Sequence, residues 1–207
     1  MLTNIQAKKK MTNSFINQWK FFYPNKLPIS HYFRQYFSQF WFRIHSLPES
    51  KRYADTPAEY ELLLNRHNQI IDDCFDSNAS IFIVTGHYFS QSDNNKIYDP
   101  TLRLKYEFHP EKEINLTQAN PEYYDDDEED HFYRPYSINE IWKKNEHNDL
   151  LKKIANDEVR AFMISFEQNI IIAPYDGGID LIIFNDAKRN ELINKYQDWL
   201  SPRADGL

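Results

Sequence analysis

The sequence predicts an α+β fold, with a mostly antiparallel sheet and helices packed on it, as a single domain over residues 1–207. Three observations predict it. The C-terminal third reads as short apolar strands joined by tight turns rather than by helices. Helical periodicities are set apart from those strands instead of alternating with them, which argues against a parallel α/β sheet. The chain also holds 15 Phe, 14 Tyr and 4 Trp, an aromatic content that a disordered chain lacks.

Each element follows from local pattern. Met11, Phe15, Trp19 and Phe22 recur at spacings of four, four and three, giving an amphipathic helix that Tyr23-Pro24-Asn25 ends. From Phe40 to Ile44 the residues alternate, as in a strand, and Pro48 and Glu49 break it. Thr56-Pro57-Ala58-Glu59 has a cap hydroxyl, a proline at the first helical position and a glutamate that can return a bond to the cap. The helix it opens runs to about Phe75, with Tyr60, Leu63, Leu64, His67, Ile71 and Cys74 along one face. Ser80–Thr85 is apolar and β-branched, predicting a buried strand, and Leu102–Phe108 alternates, predicting another.

Residues 110–134 are polar and predict a loop. Ser137-Ile138-Asn139-Glu140 has the form of a second capping box, predicting a helix through Ile141 and Trp142, with Leu150, Leu151 and Ile154 beyond. Ala161–Phe166 and Ile170–Ala173 predict strands joined at Glu167-Gln168-Asn169. Tyr175-Asp176-Gly177-Gly178 then turns into a strand over Ile179–Phe184, where the glycines suit the positive φ of hairpin turns. Asn185 caps a last helix carrying Leu192, Ile193, Tyr196 and Leu200.

The net charge of −7 has a local origin. Glu122, Asp125, Asp126, Asp127, Glu128, Glu129 and Asp130 form a run of seven acids without a base; with those set aside, 24 acids face 24 bases. Nucleic-acid binders show the opposite balance, so no nucleic-acid partner is expected. The single cysteine, Cys74, permits no internal disulfide, and neither a signal-peptide core nor a membrane-spanning run is present, so the expected place is the cytoplasm.

Motifs that carry chemistry are scarce. Seven histidines lie at least fourteen residues apart, outside the spacing of common zinc sites, and one cysteine cannot build a thiolate cage, so no metal and no cofactor is expected. Gly86 stands alone, Gly177-Gly178 lacks a following Lys-Ser/Thr, and there is no nucleophile elbow. Cys74 falls on the apolar face of its helix, where cysteine behaves as a small buried hydrophobe. No catalytic residue is assigned. Asp176 and Asp180 flank the glycine pair and could hold a cation or act as acid and base, or serve as turn and strand residues. Arg43, His45 and Arg52 gather about a strand end, where they could make an anion pocket or ion pairs.

The residues most suited to binding a partner are the acidic run and its aromatic neighbours: Glu122, Tyr123, Tyr124, Asp125, Asp126, Asp127, Glu128, Glu129, Asp130, Phe132 and Tyr133. An acidic surface steers a basic partner, and flanking aromatics can anchor an interface.

The segments RIHSLPESKRYA, EYELLLNRHNQIIDD, PYDGGIDLII and KYQDWLSPRADGL resemble an uncharacterised bacterial family, the domain of unknown function numbered three-eight-eight-five. The resemblance runs from about Pro28 to Leu207. Its signature includes Tyr175, Asp176, Gly177, Gly178, Asp180, Tyr196, Trp199, Leu200 and Ser201, and Arg43 lies in the first of the matching segments. These residues are expected to be structural. The family brings no activity with it. In size and acidity the chain is similar to immunity proteins encoded beside contact-dependent toxins. The expectation is therefore a non-enzymatic cytoplasmic protein that binds a basic partner such as a toxin nuclease; the alternative is an enzyme or a small-ligand regulatory module with a site near Arg43, His45, Asp176 and Asp180.

Overall fold

The structure, a computed structural model, describes residues 14–93, 101, 104–124, 129–201, 203 and 206. The first half of the chain forms α1 (Phe15–Phe22), α2 (Phe33–Tyr36), β1 (Trp41–His45), α3 (Pro57–Cys74), β2 (Ser80–Ser90), β3 (His109–Pro110), β4 (Ile114–Asn115) and α4 (Leu116–Ala119). The second half forms β5 (His131–Ile141), α5 (Asn148–Ala155), β6 (Ala161–Ser165), β7 (Ile170–Tyr175), β8 (Gly178–Ile183) and α6 (Asp186–Lys195). The pairings β1–β8, β7–β8, β6–β7, β3–β5 and β4–β5 are all antiparallel, so the class is α+β with a mostly antiparallel sheet. No helix among the described residues is long and apolar enough to cross a membrane.

The chain forms two compact units. In the second, Ile29–Ile83 with Asn139–Leu207, the strands run in the order β1-β8-β7-β6-β2. Every residue of β6 and β8 is buried, including Ile164, Leu181, Ile182 and Ile183 at 0% exposure. Each such side chain contributes about 1.5–3 kcal/mol relative to an exposed one. Helix α5 buries Leu150, Leu151 and Ile154 and packs on β7, while α6 buries Leu192 and packs on β8. The Thr56 cap forms as its sequence predicts: Glu59 N donates to Thr56 Oγ1 at 3.3 Å, and Thr56 N donates back to Glu59 Oε2 at 3.2 Å. Asn185 accepts from Lys188 N at 2.9 Å and starts α6.

The first unit combines α1 with Val84–Ile138 and the strand order β2-β5-β3, β4 also pairing with β5. Ser14 Oγ, just before α1, donates to Glu111 Oε2 at 2.8 Å, and the other oxygen of Glu111 accepts from Ser137 Oγ at 2.7 Å. A Cβ on Gly86 would collide with the Tyr133 hydroxyl, so that glycine admits the ring of a β5 residue against β2.

Met11 lies outside the described residues; α1 covers Phe15–Phe22. Three expectations change. The strand expected over Leu102–Phe108 does not form where the chain is described; residues 104–108 are bends and irregular backbone, followed by β3. The helix expected at Ser137–Trp142 is the end of β5 instead. Ser137 spends its hydroxyl on Glu111 and Asn139 bonds Ser80 at 3.1 Å, so distant partners outbid the local capping pattern. Finally, the stretch 110–134, read as loop, contains β4, α4, a 3-10 turn and the start of β5, anchored by Leu116 at 1% and Tyr133 at 6% exposure.

Candidate functional site: an arginine-lined cavity

The β1–β8–β7 register builds the site. Arg43 stands opposite Asp180, and Asp180 opposite Ala173, which puts the three on one face of the sheet. Strand β8 is buried throughout, so a carboxylate at Asp180 requires a partner. Arg43 supplies it with a two-pronged pair, Nε to Oδ1 at 2.6 Å and Nη2 to Oδ2 at 2.9 Å. The same guanidinium lies 4.5 Å from the Tyr175 ring centre and 5.5 Å from that of Trp41. Burial opposes the Arg43 charge, but the bond to Asp180 and its charge outweigh it, raising the guanidinium's pKa above the ordinary value. Burial also pushes the Tyr175 phenol up to about 12, so it stays neutral.

A second pair closes the rim. Asp176 is 7% exposed, and its Oδ2 accepts from Arg52 Nε at 2.5 Å and from the Tyr53 hydroxyl at 2.8 Å. Arg52 and Tyr53 follow a 3-10 turn in which Glu49 and Ser50 hold φ of 55° and 57°. The hydrogen bond to Asp176 raises the pKa of both Arg52 and Tyr53.

Around these pairs lies a cavity of about 390 Å³, within the range of small-molecule sites. Arg34, Arg43, Arg52 and Arg160 line it together with Asp157, Asp176 and Asp180, and Arg160 pairs with Asp157 at 3.8 Å. Ser30 and His31 also line it, and Ile154, Val159, Ala173 and Pro174 supply its apolar surface. Burial, then the charge of Arg160, lowers the pKa of His31. Sequence reading found Arg43, Arg52, Asp176 and Asp180, but not Arg34 or Arg160, which stand alone in their segments and join the cavity only through the fold.

His45 does not line the cavity. It pairs with Gly178, and burial together with Arg43 and Arg66 lowers its pKa. Next to it, Ser46 Oγ and His67 Nε2 lie 2.7 Å apart, at the separation of a nucleophile and its base, but both residues are 0% exposed. No substrate reaches them in this conformation. Cys74 is 3% exposed with its thiol pKa pushed up by burial, the environment of an inert thiol.

Gly177 and Gly178 serve the turn for a reason other than the expected one. Neither has positive φ; Gly206 is the only described glycine that does. A Cβ on Gly178 would instead collide with the Ile44 carbonyl oxygen, so close approach of β1 demands glycine there.

Of the expected partner-binding residues, Asp125, Asp126, Asp127 and Glu128 lie outside the described residues. Glu129 accepts from Ser92 N at 3.0 Å and Asp130 from Asn115 Nδ2 at 3.1 Å. Glu122 is exposed and Tyr123 is 72% exposed; Tyr124 stacks with His131 at 5.1 Å and Phe132 with Phe89 at 5.3 Å. Tyr133 belongs to the interior. Among the described residues no group of histidine, cysteine, aspartate and glutamate side chains is arranged to hold a metal ion.

The family model of a domain of unknown function (DUF3885) matches residues 29–204. The chain belongs to this family. The match takes in the whole lining of the cavity, from Ser30 to Asp180, and also Trp199, whose ring lies 5.0 Å from the Arg66 guanidinium. Neither a curated protein nor a solved structure matches the chain.

Proposed function

We propose that this family member is a non-enzymatic binding module that holds a small anionic ligand in the arginine-lined cavity. One observation carries the reading: four arginines from separate segments line one cavity, against three aspartates. Two of those carboxylates, Asp176 and Asp180, already orient Arg52 and Arg43, which makes them positioning groups rather than a ready acid and base. Guanidinium groups recognise oxyanions through paired N–H donors, and held in place they lose less entropy on binding.

Thermal unfolding across a panel of oxyanions, with chloride at matched ionic strength, tests this. A ligand bound only by the native state raises the melting temperature with concentration. The rise should vanish in an Arg52→Gln/Arg160→Gln double variant. A panel that shifts neither protein, or both alike, removes the reading.

A second reading, docking of a basic protein such as a toxin domain on the acidic run, draws support from Tyr123, exposed beside it. Replacing Asp125–Asp130 by Asn or Gln should then slow association with that partner, the more so at low salt. An unchanged association rate at low salt would remove it.

A further inference from the structure

The pair at the base of the cavity shows what one arginine does for a carboxylate. Nε and Nη2 of Arg43 engage both oxygens of Asp180, and a planar two-oxygen anion is satisfied by that single fork. The cavity offers much more. Arg52 is held to Asp176 through Nε alone, and its two Nη groups have no hydrogen-bond partner among the described residues. Nη1 of Arg43 likewise has none. Arg34 and Arg160 also line the cavity, each with partners of its own: Arg160 pairs with Asp157 at 3.8 Å and Arg34 lies 5.1 Å from the Trp41 ring centre. The unused donors of Arg43, on β1, and of Arg52, on the segment after it, match an anion whose acceptor oxygens are spread in three dimensions, as the three terminal oxygens of a phosphoryl group are. Beside them, Ile154, Val159 and Pro174 offer an apolar surface that a bare inorganic ion would leave unused.

We infer that the ligand is a small phosphomonoester, its phosphoryl group gripped by Arg43 and Arg52 and its organic body laid against the apolar surface of Ile154, Val159 and Pro174. This rests on the anion-binding reading above and names its ligand class. Arg52 is the specificity-determining residue: Asp176 fixes its Nε edge, and its Nη edge takes the phosphoryl oxygens. Its side chain is 65% exposed, and when it is replaced the Tyr53 hydroxyl still donates to Asp176.

Calorimetric titration of the full chain with phenyl phosphate, inorganic phosphate, benzoate and phenol tests this. Phenyl phosphate should bind about tenfold more tightly than either benzoate or inorganic phosphate, phenol should not bind measurably, and Arg52→Gln should weaken phenyl phosphate by about tenfold or more, the scale of one lost charge-assisted bond. Benzoate binding as tightly as phenyl phosphate would overturn the phosphoryl assignment and leave the anion cavity standing. Inorganic phosphate equal to phenyl phosphate would overturn the organic body. No binding by any of the three anions, or binding that Arg52→Gln leaves untouched, would overturn the inference and, in the first case, the anion reading with it.

Discussion

Arg43 and Asp180 face each other across β1 and β8 and share two hydrogen bonds, with side chains 16% and 12% exposed. Removing one partner of such a pair strands the other charge. Asp180→Ala should therefore cost about 3 kcal/mol, while Arg43→Met combined with Asp180→Leu should recover a large part of that loss. Urea unfolding of the wild type, Arg43→Met, Asp180→Leu and the double variant gives the coupling directly. Additive losses would show that the pair contributes little beyond packing.

The glycine pair should respond unequally. Gly178→Ala drives a methyl into the Ile44 carbonyl, a backbone atom that cannot move without parting β1 from β8. Gly177→Ala meets the Tyr175 ring at 2.9 Å, and a side chain can give way. Gly178→Ala should lose more than about 2 kcal/mol and Gly177→Ala under about 1. Equal melting temperatures for the two variants would contradict the close-approach account.

His67 should make stability depend on pH. Burial, then Arg66, lowers its pKa from 6.5 to about 3. A depressed pKa means that the unfolded chain takes up a proton first, below about 6.5, so the contribution is complete above that value and is lost as pH falls towards 3. Between pH 6.5 and 5 the wild type should lose roughly 1.5–2 kcal/mol through this residue, and His67→Gln should flatten the slope. Denaturant unfolding at both pH values measures it, and identical slopes would show that His67 does not titrate differently on folding.

Cys74 should resist alkylation in the native protein and react quickly once denatured, because its thiol is buried and its thiolate disfavoured. Rapid labelling without denaturant would place it at the surface.

Much of this protein was legible along the chain. The cap at Thr56, the cap at Asn185, the three C-terminal strands and the buried face of α3 are set by residues within a few positions of one another. Local hydrogen bonds and the two periodicities of backbone geometry suffice to specify such features. Family membership was legible in the same way, in short runs such as PYDGGIDLII.

The rest was decided by contacts between residues far apart in sequence. Ser137–Glu140 carries a capping pattern, yet Glu111 and Ser80, distant in sequence, claim the side chains of Ser137 and Asn139. Gly178 looked like a turn glycine, yet the carbonyl of Ile44, on a strand more than a hundred residues earlier, is what requires it. Arg34, Arg43, Arg52 and Arg160 carry no shared motif and meet only because the β1–β8–β7 register and the segments beside it bring them to one cavity. A short-range pattern can state what a residue prefers, but burial and cross-strand bonds are settled by the partner it meets, and that partner is chosen by the whole fold.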